Sequence, residues 1–148
     1  MSDGPAPFGV LALQGDFAAH AAALRRLGAE SREVRRVAQL EGLRGLIIPG
    51  GESTTLLNLM ADEPWFEALA GFHQAGGVLV GTCAGAILLA HEVRPPQRSL
   101  ALLDAAIERN AYGRQVESFE ATVDAPALGG RLPAVFIRAP ASTASGPA

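Results

Sequence analysis

The sequence predicts an α/β protein of three layers, α/β/α, in which a mostly parallel sheet carries helices on both faces. Three observations point there. Short apolar runs alternate with stretches of helical period through the first ninety residues. Two of those runs, Leu43 to Ile48 and Val78 to Val80, end in glycine-rich turns that open a helix. No internal repeat interrupts the alternation.

Each element follows from local chemistry. Phe8 to Leu13 reads as a strand, and Asp16 can cap a helix that runs to about Leu27 and is ended by Gly28. Ala29 to Val37 holds a second extended segment and Leu43 to Ile48 a third strand, closed by Pro49-Gly50-Gly51. A helix then starts at Ser53 or Thr54, with Leu56, Leu57, Leu59 and Met60 on its buried side. Asp62 and Pro64 start another, in which Trp65, Leu69 and Phe72 recur at helical spacing. Val78 to Val80 reads as a buried strand, Gly81 to Gly85 as a tight turn and Ala86 to Ala90 as a helix. Beyond it, Leu100 to Glu108, Val116 to Val123 and Ala134 to Arg138 look like strands, joined by turns at Tyr112-Gly113 and Gly129-Gly130, so part of this half is expected to be antiparallel. The resulting division is a flexible N-terminus over residues 1–7, one domain over 8–138, and a disordered tail over 139–148 that contains only Ala, Pro, Ser, Thr and Gly.

Composition narrows the function. The chain has 148 residues, 49% hydrophobic and 18% charged, enough apolar material for a sizeable core and too much for a disordered chain. A net charge of -3 leaves no footprint for nucleic acid, and the local cluster Arg25, Arg26, Arg32, Arg35 and Arg36 reads as a solvated surface. A single cysteine cannot form an internal disulfide, and MSDGPAP has neither the basic region nor the apolar region of a secretion signal, so a reducing cytoplasm is the expected location. The longest uncharged apolar run is broken by glycines and is shorter than a membrane span requires, so no membrane partner is expected. Without a Cys/His cluster, no metal site is expected.

Two features carry chemistry. The first is Gly76 to Ala90, GGVLVGTCAGAILLA, which places the only cysteine, Cys83, between an apolar strand and an apolar helix. Small neighbours permit the sharp strand-to-helix turn of a nucleophile elbow, usually written G-x-S-x-G, with sulfur here in place of oxygen. The helix start would favour thiolate over thiol. The competing reading is a buried structural cysteine. The second feature is Pro49-Gly50-Gly51-Glu52-Ser53, whose turn exposes backbone N–H groups just before a helix. Such amides suit an oxyanion hole beside Cys83 or a phosphate cradle. The phosphate option lacks a following Gly-Lys-Ser/Thr, and a plain tight turn remains the third option.

Together these motifs resemble a known family. Leu13-Gln14-Gly15, Pro49-Gly50-Gly51-Glu52-Ser53-Thr54-Thr55, Gly81-Thr82-Cys83-Ala84-Gly85, Glu108-Arg109-Asn110 with Gly113-Arg114-Gln115, and Phe136-Ile137-Arg138-Ala139-Pro140 occur in the order seen in glutaminase subunits of pyridoxal 5′-phosphate synthase, a class I glutamine amidotransferase family. The resemblance runs from about Gly9 to Pro140. It implies hydrolysis of L-glutamine to glutamate and ammonia through a thioester on Cys83, with no cofactor, and delivery of the ammonia to a barrel-shaped synthase subunit that builds vitamin B6. By the same carry-over, the N–H groups of Ala84 and Gly51 would hold the oxyanion. Gly51, Glu52 and Ser53 would line the glutamine site, with Arg109, Ile137 and Arg138 opposite. Gln14 would face the synthase partner.

The family also activates its cysteine with a histidine in a His-Pro-Glu motif on a later strand, and this sequence contains no such motif. After Ala139-Pro140 it leaves the family pattern, so the fold is expected to be C-terminally incomplete. His20 in the first helix, His73 near the end of the Trp65 helix and His91 at the far end of the elbow helix are expected to be partly exposed helix residues rather than the base. Turnover is therefore expected to be weak or absent. A docking subunit that keeps the glutamine pocket without the chemistry is the alternative, and a thiol hydrolase or redox sensor of related topology is a third.

Overall fold

In a computed structural model, residues 4–109, 119–125, 130–136 and 141–145 are described, the last three segments as backbone strands. Strands β1 (Phe8–Leu11), β2 (Ser31–Val34), β3 (Gly45–Ile48) and β4 (Val78–Gly81) form a wholly parallel sheet in the order β2-β1-β3-β4. Helix α1 (Phe17–Arg26) links β1 to β2; α2 (Ser53–Leu59) and α3 (Trp65–Gln74) link β3 to β4; and α4 (Ala84–Leu89) leaves β4. This is the predicted mostly parallel α/β architecture.

The caps are largely as chemistry dictates. Asp16 accepts from the Ala19 N–H at 3.1 Å and starts α1. Glu52, rather than Ser53 or Thr54, caps α2. Trp65, Leu69, Leu56, Leu46, Ile48, Leu11 and Leu88 are fully buried and join one core between sheet and helices. Ile87, Ala90, Val93 and Ile107 form a smaller cluster beside it. The five arginines of the basic cluster are exposed, as expected.

Several expectations need correction. Leu59 is exposed, because the chain tightens after α2 into a 3-10 turn, Met60–Asp62, that turns Leu59 outward while Leu56 and Met60 stay inside. Val78 to Val80 is not a buried strand. Side chains of β4 alternate between the two faces of the sheet, so Leu79 packs on the core while Val78 (54% exposed) and Val80 (47%) point to the other, open face. The elbow helix stops at Leu89, where β5 (Ala90–Arg94) begins, and His91 therefore lies on a strand.

Strand β6 (Leu103–Glu108) pairs parallel with β5. It also pairs antiparallel with β9 (Ala141–Ser145), which falls in the stretch expected to be a disordered tail: small residues leave the backbone free to join a ladder even though they bury little. Strands β7 (Phe119–Ala125) and β8 (Gly130–Phe136) form an antiparallel hairpin, each displaced from its expected bounds. The expected turn at Tyr112-Gly113 lies outside the described residues, as do Ile137 and Arg138.

Candidate active site

The site gathers at the carboxyl edge of the parallel sheet, where loops following β1, β3 and β4 meet. At the end of β4, Cys83 adopts φ 50° and ψ -107°, a left-handed backbone that a side chain disfavours. Two glycines make the turn possible. A Cβ on Gly85 would sit on the Ile48 carbonyl oxygen, and one on Gly81 would run into the Gly85 backbone, so no larger residue fits either position. The turn is pinned by backbone bonds: Thr82 N–H donates to Ile48 O (3.1 Å), Gly85 N–H to Thr82 O (2.9 Å) and Ile87 N–H to Cys83 O (3.0 Å). Cys83 is exposed, which overturns the buried structural reading.

The glycine turn after β3 faces this elbow. Cys83 Sγ lies 4.0 Å from the Gly51 carbonyl oxygen, within reach of a weak thiol hydrogen bond. Gly51 itself sits at φ 141°, where glycine is favoured, and a Cβ there would collide with the Gln14 side chain. Gln14 explains the orientation of the turn. Its Oε1 accepts from the Glu52 N–H at 3.2 Å and its Nε2 donates to Gly50 O at 3.4 Å, so the β1–α1 loop clips the β3–α2 loop.

Glu52 is held ionised. The Thr54 hydroxyl first, then the Thr55 N–H, donate to its carboxylate, and its pKa is lowered from 4.5 to about 2. Its carboxylate stays exposed at the rim of the site. Ser53, expected to line the same site, instead turns inward: it is buried and its hydroxyl donates to Gln97 Oε1 at 3.1 Å. Any part it plays toward a ligand thus falls to its backbone.

Of the residues singled out from sequence, Gln14, Gly51, Glu52 and Cys83 are brought together, with Ala84 opening α4 next to the thiol. Arg109 lies just past β6, where its N–H donates to Arg94 O at 2.7 Å, a tie to the second sheet. The sequence reading missed Gln97 and set His20 aside. His20 is half-buried, and its Nε2 lies 3.4 Å from Thr82 Oγ1, on the residue before Cys83. The signal was its place early in a helix that starts at the same sheet edge as the elbow. His73 is exposed on α3 and lines a small apolar hollow of about 100 Å³ with Leu79, Leu89, Leu102 and Leu103. Among the described residues no histidine hydrogen-bonds Cys83 Sγ, no cluster is placed to hold a metal ion, and no helix is long and apolar enough to cross a membrane.

An exposed cysteine in a strained strand-to-helix turn, facing a glycine turn across a parallel sheet edge, has the geometry of a nucleophile elbow in an α/β protein. Comparison with known proteins sharpens that class. The model of the SNO glutamine amidotransferase family matches residues 10–146. The pyridoxal 5′-phosphate synthase subunit PdxT of Deinococcus radiodurans is 56% identical over 146 residues, covering 95% of this chain and 74% of the relative. The PdxT of Pelotomaculum thermopropionicum is 54% identical over 134 residues, covering 89% and 68%. A crystal structure of a glutamine amidotransferase superposes with a TM-score of 0.82 at 50% identity, over 94% of this chain and 75% of the other. The chain belongs to the SNO glutamine amidotransferase family.

Proposed function

We propose that the chain is the glutaminase subunit of a pyridoxal 5′-phosphate synthase, hydrolysing L-glutamine to glutamate and ammonia. The observation that carries this reading is Cys83, exposed at φ 50° and aimed at the glycine turn 4.0 Å away. Family membership and the similarity to proteins called PdxT support it.

In this reading the Cys83 thiolate attacks the side-chain amide carbon of glutamine. The C–N bond breaks, the amide nitrogen takes up the proton given up by the thiol and leaves as ammonia, and water then adds to the thioester carbonyl, releasing glutamate and returning a proton to the sulfur. The Ala84 N–H, in the first turn of α4, lacks an intrahelical acceptor and would hold the oxyanion together with the N–H of Gly51. Each donor is worth roughly 2.7–4 kcal/mol in comparable sites. Glu52, kept ionised, complements the substrate ammonium, and Arg109 with Arg138 and Ile137 would close the other side, the guanidinium fork suiting the α-carboxylate. Gln14 would stand at the mouth toward a barrel-shaped synthase subunit that receives the ammonia. The reading includes a cytoplasmic setting, in keeping with one cysteine that cannot form an internal disulfide.

With no described histidine on Sγ, slow turnover by the 148-residue chain alone is part of the proposal. The same observation favours one second reading, a docking subunit without chemistry. Glutamate release from glutamine, measured with and without the synthase subunit and with Cys83→Ala as control, separates the two. Release that depends on Cys83 supports the glutaminase; complex formation without release supports the docking subunit.

A further inference from the structure

Between Gly81 and Gly85 the Thr82 hydroxyl is the one polar side-chain group besides the thiol. The Thr82 backbone is already fixed at both ends, through Ile48 O and the Gly85 N–H. Its side chain is the remaining handle on the elbow. Threonine is stiff about its first side-chain torsion, so fixing Oγ1 also fixes the backbone that leads into Cys83. A residue held at φ 50° and ψ -107° keeps that geometry only while its surroundings over-determine it.

His20 supplies that hold from another element. Its Nε2 reaches Thr82 Oγ1 at 3.4 Å, and its own position is set by the Asp16 cap one turn earlier in α1. The loop before this helix carries Gln14, which clips the opposite wall at Gly50 and Glu52. The β1–α1 segment thus grips both walls of the site, one through Gln14 and one through His20.

We propose that His20 is a positioning residue for Cys83, holding the nucleophile elbow through the hydroxyl of Thr82. Without it the strained residue relaxes, and the sulfur leaves the exposed position beside the Gly51 turn in which a reagent reaches it. The proposal rests on the reading of Cys83 as a nucleophile but not on glutamine as the substrate.

The test is the rate of Cys83 alkylation by iodoacetamide in the 148-residue chain at fixed pH, with the thermal midpoint recorded for each variant. His20→Phe keeps the ring and loses the nitrogen; Thr82→Val keeps the shape and loses the hydroxyl. Each is expected to slow alkylation about threefold to tenfold, the effect of one hydrogen bond, and the double variant to be no slower than either. His20→Gln and Thr82→Ser, which retain polar groups near the same points, are expected to restore most of the rate. A full rate in His20→Phe, multiplied losses in the double variant, or a His20→Gln as slow as His20→Phe would overturn the proposal. Should His20→Phe fail to fold, Thr82→Val, at an exposed position, decides by itself together with Thr82→Ser. Glutamate release measured in parallel with the synthase subunit present bears on the proposed function alone: coupled alkylation without release sinks that reading and leaves this one standing.

Discussion

Cys83 and Gly51 face each other across the carboxyl edge of the sheet, with the thiol 4.0 Å from the Gly51 carbonyl oxygen. The Gly51–Glu52 peptide is kept in that orientation from behind, where Gln14 takes the Glu52 N–H. Gln14→Ala removes both clips on the turn. It is expected to raise the KM for glutamine severalfold while costing about 1 kcal/mol of stability or less, since both bonds are partly solvated. Steady-state kinetics with the synthase subunit present and a urea melt check the two halves; an unchanged KM would remove Gln14 from the site.

The strain at Cys83 predicts a trade between stability and chemistry. Glycine tolerates φ 50° and ψ -107°, so Cys83→Gly relieves strain of order 1–3 kcal/mol against an entropic cost of about 0.4–1 kcal/mol. A net gain of about 1 kcal/mol is expected in chemical denaturation, with all thiol-dependent activity lost. Cys83→Ala loses the activity without that gain. A Cys83→Gly less stable than wild type would contradict the strain.

Glu52 predicts a defined acid dependence. Its folded pKa, about 2, lies below the ordinary value of 4.5, so its carboxylate stabilises the fold fully above pH 4.5 and loses that contribution as pH falls through about 2. The stability gap between wild type and Glu52→Gln is expected to be flat above pH 4.5 and to close below it. The gap is small, because the group is largely exposed to solvent. Denaturation at a series of pH values would show it, and a gap independent of pH would refute the cap.

The elbow glycines and the core set the scale of structural damage. Gly85→Ala drives a Cβ onto the Ile48 carbonyl and is expected to cost about 3 kcal/mol, the upper end for overpacking. Trp65→Ala empties a fully buried site and is expected to cost about 3–5 kcal/mol. Val80→Thr, on the open face of β4, is expected to change stability by under about 0.5 kcal/mol, read by chemical denaturation.

The alternation of strands and helices, the cap at Asp16, the buried Trp65 and Leu69, and the two glycine turns that frame the site were all legible in the chain before any fold was known. Those features depend on residues close in the chain: periodicity, caps and glycine act within a few positions. That Val78 and Val80 face outward is a property of the assembled fold, since the exposure of a strand's face depends on which elements pack over it and not on the strand's own composition. The same holds for Ser53, whose hydroxyl turns to Gln97 forty-four positions away, and for His20, which meets Thr82 across sixty-two. Parallel strands connected through helices bring such distant residues to one edge, and no local pattern in the chain records which side chains meet there.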